Sequence, residues 1–391
     1  MNSRAWRLAL LALGGAGLLA GLSGALVLLG VWTPAPAGHL AASHGLLMTL
    51  GFLGTLIALE RAVALGQWWG YLAPLAAGIG ALALIGGAPD AIASLLLAIA
   101  GGTFVAMYVA FDRIQRSLHG TIQALGAVAW LGAALLLALG WTPRQAVPWL
   151  AAFLVLTIVG ERLELSRLVQ LTERARLAFT LGAAAFCGGV LLTVAAADLG
   201  TRLAGAGLVW VALWLARNDL ARRTVRMSGL PRFVAASLLI GYGWLIVGGM
   251  AWIVFGAQPP TAAYDAMLHA VFLGFAISMV FGHAPIILPA VLRLSLPYRP
   301  RFYAHLALLH AGLLLRIVGG DLLGSRVAFQ AGGVLNVVAL LVFVVSSAAA
   351  ILAEGRVSPR RTGRATARAA ASARVAVAQA RAGAEPPLPP E

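Results

Sequence analysis

Apolar residues in this chain run in continuous blocks of roughly 20, broken by arginines, prolines or short polar stretches, and that is the length a helix needs to cross a bilayer. The blocks predict spans near 8–32, 40–62, 70–87, 91–110, 120–140, 146–162, 177–197, 203–216, 233–255, 264–291, 303–320 and 327–352. A membrane β-barrel is built from short segments in which apolar and polar residues alternate, so the continuous blocks point to helices instead. The expected fold class is all-α: a polytopic transmembrane helix bundle of about 12 spans occupying residues 1–353. Residues 354–391, rich in Arg, Ala and Gly and closing on Pro387 to Pro390, read as a basic, disordered cytoplasmic tail. Arg4 and Arg7 precede an apolar run from Leu8 to Trp32 that is longer than a signal-peptide core and lacks a clear cleavage site, so it is read as a retained first span.

Composition agrees: 61% of residues are hydrophobic, only 10% are charged, and mean hydropathy is +0.91, far from the balance of a soluble domain. A net charge of +15, carried entirely by arginine on the basic side, would suit nucleic acid, but the placement of those arginines argues for a membrane surface and no nucleic acid. Arg61, Arg113, Arg116, the stretch from Arg162 to Arg176, that from Arg217 to Arg232, and that from Arg293 to Arg301 fall on one side; Arg144, Arg202 and Arg326 fall on the other. The positive-inside bias then places both termini in the cytoplasm, in a bacterial inner membrane, with the tail against anionic lipid headgroups. Cys187 stands alone in an apolar span and reads as a core residue, and the glycines, among them Gly45, Gly51, Gly54, Gly182, Gly188 and Gly189, read as close helix packing.

Ionisable groups at membrane depth are costly, which directs attention to the seven histidines. His39 and His44 lie near the outer end of span two, and His269 lies ~10 Å below the outer end of span ten, so the three share one depth. His283 returns to nearly the same helix face as His269 but ~21 Å further in, where His305 and His310 from span eleven can approach it, with His119 opening span five at the inner interface. Imidazoles from two helices at equal depth suit axial haem ligation or a metal site, and a bis-His haem at His44 and His269 is the sharpest expectation. Each histidine taken singly also suits an interhelical hydrogen bond, and His39, near Pro34 and Pro36, reads as a boundary residue. Arg316 within span eleven needs an anion, which haem propionates or Asp321 would supply. Met48, four residues after His44, adds a thioether for copper(I) or for haem, or simply packs. Glu161, Arg162, Glu164 and Arg167 at the inner end of span six read as a solvated or interfacial charge network.

Two segments carry a resemblance. His44-Gly45-Leu46-Leu47-Met48 leading into Gly51-Phe52-Leu53-Gly54, and His269 with Gly274, Gly282-His283 and the later Leu315-Arg316, resemble the NnrS family of haem- and copper-containing membrane proteins linked to nitric oxide stress. More distantly they are similar to subunit I of the haem-copper oxidases. The resemblance implies haem, of b type, at His44 and His269, with His283 as the family's second tenth-span histidine and Arg316 near the haem edge, and an electron donor that no residue identifies; copper is the further metal it allows, and depth alone adds His310 to His283 among candidate metal ligands. Spans six and seven contain no histidine, where respiratory oxidases carry copper ligands, so the expectation excludes dioxygen reduction and leaves redox or nitric oxide chemistry, whether as an enzyme or a sensor. A secondary transporter of a small solute is the alternative, since twelve Gly-rich spans with cytoplasmic termini are equally typical of that class.

Overall fold

The computed structural model of the chain describes residues 3–32, 38–165, 171–257, 262–293 and 296–356. Among these residues all regular structure is helical, and twelve helices are long and apolar enough to cross a membrane. They are α1 (Arg4–Leu28), α2 (Gly38–Leu65), α3 (Trp68–Ile85), α4 (Asp90–Ile114), α5 (Leu118–Ala138), α6 (Pro143–Leu165), α7 (Glu173–Leu192), α8 (Ala197–Asn218), α9 (Leu230–Phe255), α10 (Ala262–Leu292), α11 (Phe302–Leu322) and α12 (Arg326–Ala353). Each of the twelve expected spans corresponds to one of these helices. The largest difference is at α8, which begins at Ala197 rather than near 203, because Asp198 and Arg202 pair along the helix at 2.7 Å instead of ending it. Helical structure continues from α12 to Arg356, into the segment expected as tail; the rest of that tail, Arg167, Pro34 and Pro36 lie outside the described residues.

Local signals explain several boundaries. The Ser117 hydroxyl accepts from the Gly120 N–H at 3.1 Å to cap α5, and Thr172 accepts from Ala175 at 3.2 Å to cap α7. Gly66, at φ 70°, closes α2 in the left-handed region that a glycine adopts without strain. Consecutive helices run back and forth, and hydrogen bonds fix which ends meet. Arg7 at the start of α1 donates to the Val291 carbonyl at the end of α10 at 2.9 Å, while Gln330 at the start of α12 donates to Leu29, just past the end of α1, also at 2.9 Å. One end of the bundle therefore gathers Arg7, Arg61, Arg162 and Arg293; we call it the arginine-rich end, and the other the opposite end.

Helix α6 is the centre of the bundle: 89% of its most apolar stretch is buried, against 33% for α7 and α12. A helix apolar on every face is a helix surrounded by others. At the rim, small residues allow close approach; a Cβ on Gly205 of α8 would stand 2.7 Å from the Gly249 carbonyl of α9. The outward faces carry large exposed apolar side chains, including Leu19, Leu95, Leu181, Leu213 and Val345.

Of the charged residues expected to form a solvated or interfacial network at the inner end of α6, Glu161 is partly exposed and Glu164 half exposed, whereas Arg162 is buried in an ion pair. Arg162 and Asp219 are 5% and 1% exposed and form two hydrogen bonds of 2.8 Å each, while Tyr242 of α9 donates to the same carboxylate at 2.7 Å. Asp219 stands just beyond α8. Burial pushes its carboxyl up, but the hydrogen bonds and charge of Arg162 outweigh that and hold it below the ordinary carboxylate range. Arg61 of α2 pairs with Glu161 of α6 and lies 3.3 Å from Glu60.

Candidate functional site

Three stretches of wider, π-helical turn interrupt the long helices: Leu47–Gly54 in α2, Ala270–Ile277 in α10 and Leu315–Leu322 in α11. Each adds a residue per turn, so side chains on either side of it are re-aimed relative to a regular helix. The hydroxyls of Thr55 and Ser278, immediately after two of these stretches, donate at 2.7 Å to the carbonyls of Gly51 and Gly274 within them. Those bonds satisfy carbonyl groups at the point where the regular helical ladder is interrupted. His44 and His269 stand just before two of the stretches, and Arg316 lies in the third.

The three residues meet at one cavity. A space of about 580 Å³ opens between α1, α2, α6, α10, α11 and α12 toward the opposite end, and His44, Met48, His269 and Arg316 all line it. Its volume lies within the roughly 300–1,000 Å³ of small-molecule and cofactor sites, and its walls are mostly apolar.

Both imidazoles are held from behind. Nδ1 of His44 is 2.8 Å from the Gly21 carbonyl, and Nδ1 of His269 is 3.0 Å from the Asp265 carbonyl and 3.1 Å from the Asp265 carboxylate. A carbonyl oxygen only accepts, so each neutral ring carries its proton on Nδ1 and its lone pair on Nε2. Among the described residues neither Nε2 has a hydrogen-bond partner. This is the tautomer and the support that a metal-ligating histidine requires. Gly21 also makes room for Met48, since a Cβ there would stand 2.7 Å from the Met48 sulfur.

The partner of Arg316 is a residue that sequence reasoning did not single out. Arg316, 8% exposed, makes a two-pronged contact with Asp265 of α10, at 2.7 Å and 2.5 Å, and its guanidinium lies 4.7 Å from the centre of the Phe329 ring. Asp321, the expected protein partner, instead leaves one carboxylate oxygen buried without a hydrogen bond. Asp265 thus ties Arg316 and His269 together. The signal was present in the sequence: Asp265 precedes His269 by one helical turn on the same face, at the depth of Arg316. Arg144 also lines the cavity, with its guanidinium 4.3 Å from the centre of the Tyr264 ring. Asn336 of α12 donates to the Leu309 carbonyl at 2.7 Å, leaving its own side-chain oxygen buried beside the cavity without a partner.

The other histidines do not join this pair. The two ring nitrogens of His310 face Trp244, whose indole N–H donates at 3.0 Å, and the Ser278 hydroxyl at 3.4 Å, so it bridges α9, α10 and α11. In His283, Nδ1 is 2.7 Å from the Met279 carbonyl and Nε2 is 3.4 Å from the Arg162 guanidinium, at a separate cavity. Both were expected among metal ligands; here their ring nitrogens stand within hydrogen-bond distance of protein groups. His305 is 1% exposed, with neither nitrogen bonded, packed among Phe281, Phe302 and Phe343. His39 contacts the Ile85 carbonyl at 2.9 Å, joining the start of α2 to the end of α3. Among the described residues no group of three or more His, Cys, Asp or Glu side chains is placed to hold a metal ion; a haem held by two axial imidazoles needs no such group.

Comparison with curated proteins finds no match. A family model described as a domain of unknown function (DUF8744) matches residues 7–352, a stretch that contains His44, Asp265, His269 and Arg316, and the chain belongs to that family.

Proposed function

We propose that this chain is a multi-pass protein of a bacterial inner membrane, both termini cytoplasmic, that holds a b-type haem between His44 and His269 for redox or nitric oxide chemistry. Membrane insertion is supported by twelve apolar helices whose outward faces expose large apolar side chains, a surface that lipid solvates and water does not. The orientation rests on the excess of arginine at the end where α1 begins and α12 ends.

One observation carries the haem assignment: two imidazoles from different helices line one apolar cavity, each with Nδ1 anchored and Nε2 uncommitted. The donor set fits. His44 and His269 would supply the axial nitrogens, and Arg144 and Arg316 at the same cavity would meet the propionates. When bound, haem supplies a one-electron couple and a ligand-responsive iron. Asp265 fixes the His269 ring and balances Arg316, and the apolar walls exclude water. Nitric oxide chemistry and the kinship with NnrS rest on the two sequence segments alone.

Purified, haem-replete protein should give a pyridine haemochrome of b type and the absorption and magnetic signature of low-spin, bis-imidazole iron. His44→Ala and His269→Ala should each abolish that signature while the protein stays folded by size exclusion. A colourless preparation, or a bis-imidazole spectrum unchanged in both variants, removes the assignment.

A further inference from the structure

A second cavity, of about 560 Å³, lies nearer the arginine-rich end. Its walls are apolar apart from a few residues, chief among them Glu60, Glu161 and His283. The charges around it do not balance. Glu60 and Glu161, each 23% exposed, share one cation, Arg61, which is 15% exposed. Arg162, the next residue along α6, is already matched by the two oxygens of Asp219, and it also contacts His283 and Tyr242. Among the described residues, with both glutamates ionised, the group around Arg61 therefore carries one uncompensated negative charge against an apolar cavity, an arrangement that burial disfavours.

A separate observation points to the same place. Tyr108 reaches the cluster from α4; it is 3% exposed, its hydroxyl has no hydrogen bond, and its electrostatic neighbours include Arg61, Glu161 and Glu60. A buried hydroxyl without a partner is out of place in a static packing role. Glu164, one turn further along α6 and half exposed, lies 3.9 Å from His119 of α5 and connects the cluster to the arginine-rich end.

We propose that Glu60 and Glu161 form a proton-binding site, holding one exchangeable proton between them beside Arg61, that loads from the arginine-rich end. The proton is taken up from water onto a glutamate oxygen, and nothing is oxidised or reduced. The site stands next to the histidine cavity, because Leu53 lines both spaces. It does not depend on haem being bound there.

The test is infrared spectroscopy of the full-length protein in lipid at neutral pH, in H₂O and D₂O, comparing the parent with Glu60→Gln and Glu161→Gln. The parent should show a protonated glutamic acid carbonyl band that shifts in D₂O. Either variant alone should lose it, because the glutamate left behind forms an ordinary one-to-one ion pair with Arg61. Glu161→Asp should restore it, which separates loss of the proton from loss of the fold. A parent without the band, a band that survives both variants, or one lost in a single variant only would each overturn the shared-proton assignment. A haem-free preparation leaves this readout intact, so the two proposals fail separately.

Discussion

Asp265→Asn isolates the residue on which the histidine cavity's electrostatics turn. The substitution keeps the side chain's size and removes the charge that compensates Arg316. Arg316 is 8% exposed and donates two hydrogen bonds, of 2.7 Å and 2.5 Å, to that carboxylate. Breaking a buried ion pair by neutralising one partner costs ~3–5 kcal/mol, because the other charge remains buried and unpaired. The Asp265 side chain retains 17% exposure, and the Asp321 carboxyl stands close enough to interact with both Asp265 and Arg316, which places the cost near the lower bound. About 3 kcal/mol corresponds to roughly a 150-fold change in the unfolding equilibrium. A second effect falls on His269, whose Nδ1 loses the carboxylate contact at 3.1 Å but keeps the main-chain carbonyl at 3.0 Å. Loss of such a supporting contact costs ~10–100-fold in metal affinity, and the surviving carbonyl argues for the smaller figure, about 10-fold in haem affinity.

The assay is equilibrium unfolding in mixed micelles, run for Asp265→Asn, for Arg316→Met, and for the double variant Asp265→Leu with Arg316→Met. Each single variant should be destabilised by ~3 kcal/mol, and the double variant should recover most of the loss, because an apolar pair of similar bulk leaves no buried charge. If Asp265→Asn unfolds within ~0.5 kcal/mol of the parent, or the double variant is as unstable as the two losses summed, the charge argument is wrong.

His283→Ala and His310→Ala should leave the bis-imidazole haem spectrum unchanged, since neither lines the histidine cavity; loss of the spectrum in either would refute the ligand assignment. His310→Ala should nonetheless destabilise the fold by ~1–3 kcal/mol in the same unfolding assay, because the buried Trp244 indole N–H loses its acceptor. Asp219→Asn should cost ~3–5 kcal/mol at neutral pH by leaving Arg162 buried and unpaired. The carboxyl titrates below its ordinary range in the folded protein, so its contribution is present above the unfolded value of ~3.9 and disappears as pH falls through the folded one. The stability gap between parent and variant should therefore narrow in acid; a gap independent of pH would show that the ion pair is not its source.

The helices were legible because each is long and apolar enough to cross a bilayer, and a run of apolar residues between arginines states that length directly. Even the misplaced start of α8 follows from a rule, since Asp198 and Arg202 are polar by composition yet satisfy each other within the helix. The depth of His44 and His269 was equally readable, and the structure puts both at one cavity. What the sequence could not show is which atoms the side chains spend on neighbours. His310 and His283 lie among plausible ligands by depth alone, but Trp244, 66 residues from His310, and Arg162, 121 residues from His283, occupy their nitrogens. The buried pair Arg162–Asp219 was hidden for the same reason. Charged residues near helix ends read as solvated until a second helix end is brought against them. The π-helical turns left no mark on the apolar pattern, because α2 and α10 are apolar on nearly every face there and an extra residue per turn changes no polarity.

The placement of polar groups within the bundle follows a single constraint. Helices α2, α6 and α10 each contribute to both cavities: His44 and Glu60 on α2, Arg144 and Glu161 on α6, His269 and His283 on α10. On α10 the two histidines are ~21 Å apart along the axis at ~1.5 Å per residue, so the polar groups sit toward the two ends and apolar side chains fill the middle. A charge at mid-depth is the most expensive, and Leu53, 3% exposed and shared by both cavities, occupies that position on α2. The wider turn containing Leu53 runs from Leu47 to Gly54, directly between His44 and Glu60. A change in the pitch of that one stretch would alter the rotation of the histidine relative to the glutamate without breaking either site's own anchors. The histidine is held by the Gly21 carbonyl of α1 and the glutamate pair by Arg61 at the end of α2. The same geometry recurs on α10, where the wider turn Ala270–Ile277 lies between His269 and His283, so on both helices a π-helical turn separates the two cavities' polar groups.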